Sequence, residues 1–268
     1  MTLKIGIAGF GTIGSVVAQR LAGDIPGMVL AAVSAGRKAL AEQRLADLGL
    51  SAPVVSPEEL ARLCDVIVEC APTSAFRSIA DPALAAGRVL LTVSGAALLD
   101  HPDLIDSARA DGGRIILATG ALLGFDAVRA AAEGQIHSVR MVTRKPPRSL
   151  KTAKYVVENK IELDGLKAPL RLFAGTAREG ARAFPANVNV AAALGLAGVG
   201  PDRTELEIWA DPSKTRNCHR IEVEADSARL MLEIENVPTD ENPGTGRITA
   251  LSLIAALRGM TAPLRVGS

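Results

Sequence analysis

Several function classes need residues that this chain of 268 hardly has. There are three cysteines, Cys64, Cys70 and Cys218, forming no CxxC pair and no even set, and only three histidines. Neither a disulfide framework nor a metal site is expected from that supply. Thirty basic residues against twenty-nine acidic ones leave a formal charge of +1, so no broad field draws the chain to nucleic acid or to an anionic membrane. No window approaches the roughly 20 apolar residues of a bilayer span. The first residues also lack the basic region and long apolar segment of a secretory signal, and the expected compartment is the cytoplasm. Internal repeats and low-complexity tracts are missing too.

What is present, 48% hydrophobic and 22% charged residues, suffices for a substantial core in two linked domains. The most informative stretch is Gly9-Phe10-Gly11-Thr12-Ile13-Gly14, between a strand-like run, Leu3 to Ala8, and a helix-like run, Ile13 to Leu21. Gly9 permits a tight turn, Gly11 lets backbone amides approach a pyrophosphate, and Gly14 lets helix and strand pack. Thr12 and Ile13 open the helix, whose N–H groups and positive dipole end face the anion. A dinucleotide is therefore expected at Gly9, Gly11, Thr12, Ile13 and Gly14; an ordinary glycine-rich turn is the alternative.

Strand and helix patterns alternate through the first half: strands at Met28 to Val33, Asp65 to Glu69, Val89 to Val93 and Arg114 to Ala118, with helices between them. That order predicts an α/β fold with an N-terminal Rossmann-type, doubly wound parallel sheet. Ser56, Pro57 and Glu59 predict a capping box, and the helix Ser74 to Ala86 is open to interruption at Pro82. Later runs, Val139 to Thr143, Leu170 to Phe173, Leu206 to Ala210, Ile221 to Ala225 and Leu230 to Ile234, read as strands. With helices at Ala177 to Ala183 and Val188 to Ala197 they predict a second, α+β domain. A final apolar helix, Ile248 to Leu257, is expected to return to the first domain. The division expected is 1–121 for the dinucleotide, 122–244 for substrate and dimerisation, and 245–268 for the returning helix.

The second strand ends Val33-Ser34-Ala35-Gly36-Arg37-Lys38, without the acid that accepts ribose hydroxyls in NAD-binding units. Ser34, Arg37 and Lys38 suit a 2′-phosphate, which favours NADP over NAD. Solvated loop charges and use of both cofactors are the other reading. Cys70-Ala71-Pro72-Thr73-Ser74 follows a strand and starts a helix, which places Ala71 beside the nicotinamide half or, equally, makes the segment a plain capped helix start.

These features, with Glu69-Cys70-Ala71, Thr119-Gly120-Ala121, Thr143-Arg144-Lys145-Pro146-Pro147, Phe184 to Ala191, Ala210-Asp211-Pro212, Asn217-Cys218-His219 and Glu241-Asn242-Pro243, resemble the L-aspartate dehydrogenase family nearly end to end. The resemblance implies oxidative deamination of aspartate through iminosuccinate to oxaloacetate and ammonia, or the reverse amination, with NAD or NADP carrying hydride. It implies that His219 is catalytic, that Ala121 and Asn189 contact the cofactor, and that the assembly is a homodimer; some members supply iminosuccinate for NAD biosynthesis. The chain departs from the pattern at Thr119, at Leu122-Leu123-Gly124-Phe125 and at Cys218.

The chemistry needs a group that exchanges protons near neutrality, which suits imidazole and His219. His101 is expected to help a helix start and His137 to lie in a polar turn, neither with a role. A dicarboxylate needs cations; among Arg144, Lys145, Lys214 and Arg216 the choice falls on Lys145. Asn189 is assigned to the cofactor, and Asn187 to substrate or to capping and support. Two other readings stay open: a related imine or keto-acid reductase of different specificity, and a non-catalytic protein that senses NAD(P).

Overall fold

The computed structural model describes residues 2–23, 25–121, 124–185, 188–242 and 244–267. The chain divides into two compact units: residues 1–118 with 249–266, and 119–248 with the last two residues.

In the first unit β1 (Leu3–Ala8), α1 (Thr12–Gly23), β2 (Met28–Ser34), α2 (Lys38–Asp47), α3 (Pro57–Leu63), β3 (Val66–Glu69), α4 (Phe76–Ala85), β4 (Val89–Thr92), α5 (Gly95–Asp100), α6 (Asp103–Asp111) and β5 (Arg114–Leu117) follow one another. The strands form one sheet in the order β2-β1-β3-β4-β5, parallel throughout. Its inner strands read as unbroken apolar runs because helices cover both faces: Ile5, Ile7, Val66 and Val68 sit in one core cluster, and Ala8, Ile67 and Leu90 in another. This is the doubly wound, Rossmann-type arrangement. Strand order reverses between β1 and β3, so their carboxyl ends flank the crevice where open α/β sheets take ligands.

Local signals decide the helix ends. Ser56 accepts a hydrogen bond from the Glu59 amide, and Pro57 occupies the first turn of α3. The reciprocal half of that expected capping box is not among its bonds; the full box forms at Thr176 and Glu179. Pro82 lies inside α4 without ending it, and Ala86 N–H still donates to the Pro82 carbonyl. Gly112 closes α6 in the left-handed region at φ 71°.

The second unit contains α7 (Phe125–Ala132), β6 (Ile136–Lys145), α8 (Lys154–Glu158), β7 (Leu170–Thr176), α9 (Ala177–Ala183), α10 (Asn189–Ala197), β8 (Thr204–Ala210), β9 (Asn217–Ala225) and β10 (Arg229–Asn236). Its sheet runs β10-β9-β6-β8-β7, with β6 and β8 parallel and the other pairs antiparallel. On β6, Val139, Met141, Thr143 and Lys145 are buried, while Arg140 on the other face is exposed and pairs with Glu207 at 2.6 Å. His137 belongs to β6 and is exposed, not in a turn, because the strand starts at Ile136. His101 closes α5 and stacks on Phe76.

Helix α11 (Arg247–Thr261) packs Leu253, Ile254 and Leu257 into the core of the first unit. Among the described residues no helix is long and apolar enough to cross a membrane.

Candidate active site

In the first unit the glycine turn is fixed by close approach. Gly9 has φ 98°, and a Cβ on it would lie 2.6 Å from the Ala71 nitrogen. A Cβ on Gly14 would meet the Gly9 carbonyl oxygen at 2.1 Å, so α1 can start against the turn only without a side chain there. Around a Cβ on Gly11, by contrast, nothing lies within 4 Å. That open space at the start of a twelve-residue helix with no acid in its first turn fits the pyrophosphate of a dinucleotide. Thr12 and Ile13 are half-buried beside it.

The neighbouring strand end is held by a buried carboxylate. Glu69 is fully buried; its Oε1 accepts from the Ala71 amide at 2.9 Å and its Oε2 from the Thr92 hydroxyl at 2.5 Å. Thr92 Oγ1 in turn accepts from the Ser94 amide at 2.9 Å. Burial raises the Glu69 pKa, and these hydrogen bonds oppose the rise. The Cys70 thiol donates to the Gly9 carbonyl at 3.1 Å, so the glycine turn and the Ala71 segment form one rigid edge. Glu69 lies in a stretch already noted but had been given no role, and nothing local marks Thr92; the register Glu69 to Thr92 brings them together.

Ser34 is buried at the end of β2 and its carbonyl accepts from Gly9 N–H at 2.8 Å. Arg37 and Lys38 are exposed at the amino end of α2, where Arg37 makes no side-chain capping bond and the first turn holds no acid. Lys38 stands 3.9 Å from Glu42 in an exposed pair worth little.

In the second unit a polar cluster closes an otherwise apolar sheet face. Val139 pairs with Val223 and Met141 with Ile221; the next pair is Thr143 with His219, whose Oγ1 and Nδ1 are 3.1 Å apart. Lys145 follows one step on. His219 is 4% exposed and Lys145 5%. Burial, and then the charge of Lys145, lower the His219 pKa to about 3. Burial lowers Lys145 to about 8. At neutral pH the ring is therefore neutral while the amine keeps most of its charge.

Two of the other candidate cations, Arg144 and Lys214, are engaged elsewhere. Arg144 faces the opposite side of β6, 3.2 Å from buried Asp211 and stacked 4.9 Å from the Trp209 ring centre. Burial pushes the Asp211 carboxyl up, but bonds from Ser213 and Arg144 hold it below its ordinary range. Lys214 pairs with Glu235 at 3.1 Å, which the Cys218 thiol also approaches at 3.5 Å.

Two asparagines that the sequence reading gave no role extend the cluster. Asn217 precedes His219 by one step on the same strand face and pairs in register with Asn236, whose amide donates to the Ala121 carbonyl at 3.1 Å. Asn217 sits in a motif already noted, but nothing local marks Asn236; it is identified by its place on β10. Asn189 is half-buried at the first position of α10. Asn187 lies outside the described residues.

A family model described as the C-terminal part of aspartate dehydrogenase matches residues 126–260, and one described as the NAD-binding domain of homoserine dehydrogenase matches residues 9–118. The L-aspartate dehydrogenase of Bradyrhizobium diazoefficiens is 54% identical over 266 residues, covering 99% of this chain and 94% of its own. L-aspartate dehydrogenase 3 of Bordetella bronchiseptica is 50% identical over 267 residues, covering 99% and 98%. The crystal structure of aspartate dehydrogenase from Thermotoga maritima shares the fold over 100% of both chains, with a TM-score of 0.77 at 22% identity.

Proposed function

The chain belongs to the aspartate dehydrogenase family, and on that premise we propose that it is an NAD(P)-dependent L-aspartate dehydrogenase, interconverting aspartate with oxaloacetate and ammonia through iminosuccinate. The observation that carries this reading is the buried, neutral His219 with a buried lysine beside it on one sheet face.

The bound nicotinamide supplies the acceptor for the hydride leaving the substrate α-carbon. The protein's own residues handle protons and charge. If His219 Nδ1–H is donated to Thr143 Oγ1, Nε2 keeps its lone pair and takes the proton that the α-ammonium must lose before an imine can form. Once that proton has passed to solvent, the same nitrogen is free to take a proton from the water that adds to the imine. Lys145 receives a substrate carboxylate, which would be costly to bury without a cation. Glu69 holds the Ala71 segment and so fixes the edge of the nucleotide site.

Gly9, Gly11, Thr12, Ile13 and Gly14 cradle the pyrophosphate in this reading, and Ala71, Ala121 and Asn189 hold the rest of the cofactor. NADP is favoured over NAD by Ser34, Arg37 and Lys38 at the end of β2, where no acid stands.

Initial rates with a panel of amino acids, and of keto acids with ammonia, test the assignment together with the His219→Ala variant. Aspartate is expected to be the best substrate. The variant is expected to lose about 100- to 10,000-fold in turnover, the usual contribution of a general base, while binding NADPH normally. Better turnover of a monocarboxylic amino acid, or an active variant, overturns the reading.

A further inference from the structure

Five parallel strands end at the crevice of the first unit, with Ala8, Ser34, Glu69, Thr92 and Leu117 as their last residues. Glu69 alone among these carries a charge, and it is fully buried. A buried carboxylate is costly unless something offsets its charge. Both of its oxygens act as acceptors. The Ala71 amide can only donate to Oε1, and Thr92 Oγ1, already an acceptor for the Ser94 amide, has its own proton to give to Oε2. Such donors favour the ionised form, but they supply no cation. Every lysine and arginine is among the described residues, and none pairs with Glu69; the groups that oppose its burial are Thr92, Ser94 and the Ala71 amide.

That charge stands at the edge of the nucleotide site. Glu69 is the register partner of Ala8, the residue before the glycine turn, so it lies where strand order reverses. The Ala71 nitrogen that it holds is 2.6 Å from the place a Cβ on Gly9 would take, and the Cys70 thiol ties the same segment to the Gly9 carbonyl. Resting on the reading of residues 9–14 and Ala71 as the dinucleotide site, we propose that Glu69 is the counter-charge of the oxidised nicotinamide ring and shifts the affinity of the site toward NADP+ over NADPH. The two forms carry the same phosphates and differ in the ring, a cation in one and neutral in the other. A hydride, one proton with two electrons, cancels that ring charge on arrival and restores it on leaving. By stabilising the cation, the carboxylate makes the bound reduced form a better hydride donor, which favours reduction of an imine over oxidation of an amine.

The experiment is equilibrium binding to the full chain without substrate, NADPH by its fluorescence and NADP+ by displacement of NADPH, in wild type and Glu69→Gln. Glutamine keeps the side-chain shape and an oxygen for the Ala71 amide but removes the charge. Wild type is expected to bind NADP+ more tightly than NADPH. The variant is expected to lose about 10- to 100-fold in NADP+ affinity, the scale of one unit charge acting across several ångströms of protein, with NADPH changed less than about threefold. Thr92→Val, which removes a donor and leaves the carboxylate, is expected to change both forms alike. Equal losses for both forms in Glu69→Gln would mean that the residue only holds the Ala71 segment, and they overturn the proposal. So does no loss at all, or a loss confined to NADP+ in Thr92→Val. If the glutamine variant does not fold, the wild-type ratio decides alone, and NADPH bound as tightly as NADP+ overturns the proposal. The same shift is expected between NAD+ and NADH, which share the ring, so the result stands apart from the 2′-phosphate reading. Neither substrate nor turnover enters, which separates it from the substrate panel; a wild type that binds none of these nucleotides overturns the dinucleotide reading and this proposal with it.

Discussion

A lysine lowered from 10.5 to about 8 by burial weakens the fold that holds it. Below pH 8 folded and unfolded chains both carry its proton, and the full cost of a buried charge is present. Between pH 8 and 10.5 only the unfolded chain carries it, so this group's contribution to stability improves as pH rises through that window. The separation corresponds to on the order of 3 kcal/mol. Lys145→Met is therefore expected to raise the melting temperature at pH 7 by several degrees, read by calorimetry, while abolishing turnover. A lower melting temperature would mean that the lysine supports the fold. His219 acts similarly at the acid end: with its pKa lowered from 6.5 to about 3, the unfolded chain takes up the proton first, and stability falls as pH drops through that range. Buried groups shifted this far from their ordinary values are candidates for chemistry.

At the scale of elements, α2 begins with an arrangement that isolated helices avoid. Arg37 and Lys38 stand at the positive dipole end with no acid in the first turn, each unfavourable by roughly 0.3–1 kcal/mol unless an anion sits there. Arg37→Ala is expected to weaken NADPH binding by about 10- to 100-fold, as the loss of a charge-assisted bond predicts, and to leave NADH nearly unchanged. Fluorescence titration with both nucleotides measures this; equal effects on the two would remove the phosphate from the reading.

Elements with a periodic or unbroken apolar pattern were legible beforehand: β1 spans the six residues of its apolar run, and α9 the seven expected. Helix α5 was not, because Gly95 to Leu99 are all buried, leaving no amphipathic period, and Ser94 makes no side-chain capping bond. Of the site, the glycine turn and His219 could be read locally or by resemblance. The pairing of Thr143 with His219 and the place of Asn236 could not, since a register joins Thr143 to a partner 76 residues away.

For the whole molecule, the informative feature is the helix that comes last and belongs to the first unit. Leu257 is fully exposed to no solvent and shares a core with Ile5, Val17 and Val68. Leu257→Ala is expected to cost about 2–5 kcal/mol. Limited proteolysis should then cut the first unit sooner and leave the second unit's resistance unchanged; equal loss in both would show that they unfold together. Chain order gives the same helix a kinetic meaning. As the nascent polypeptide leaves the ribosome, the sheet built from residues 3–117 must wait, its apolar flank uncovered, while the intervening 130 residues of the second unit are made. The core shared by Ile5, Val17 and Val68 is therefore closed only after the whole second unit has been made.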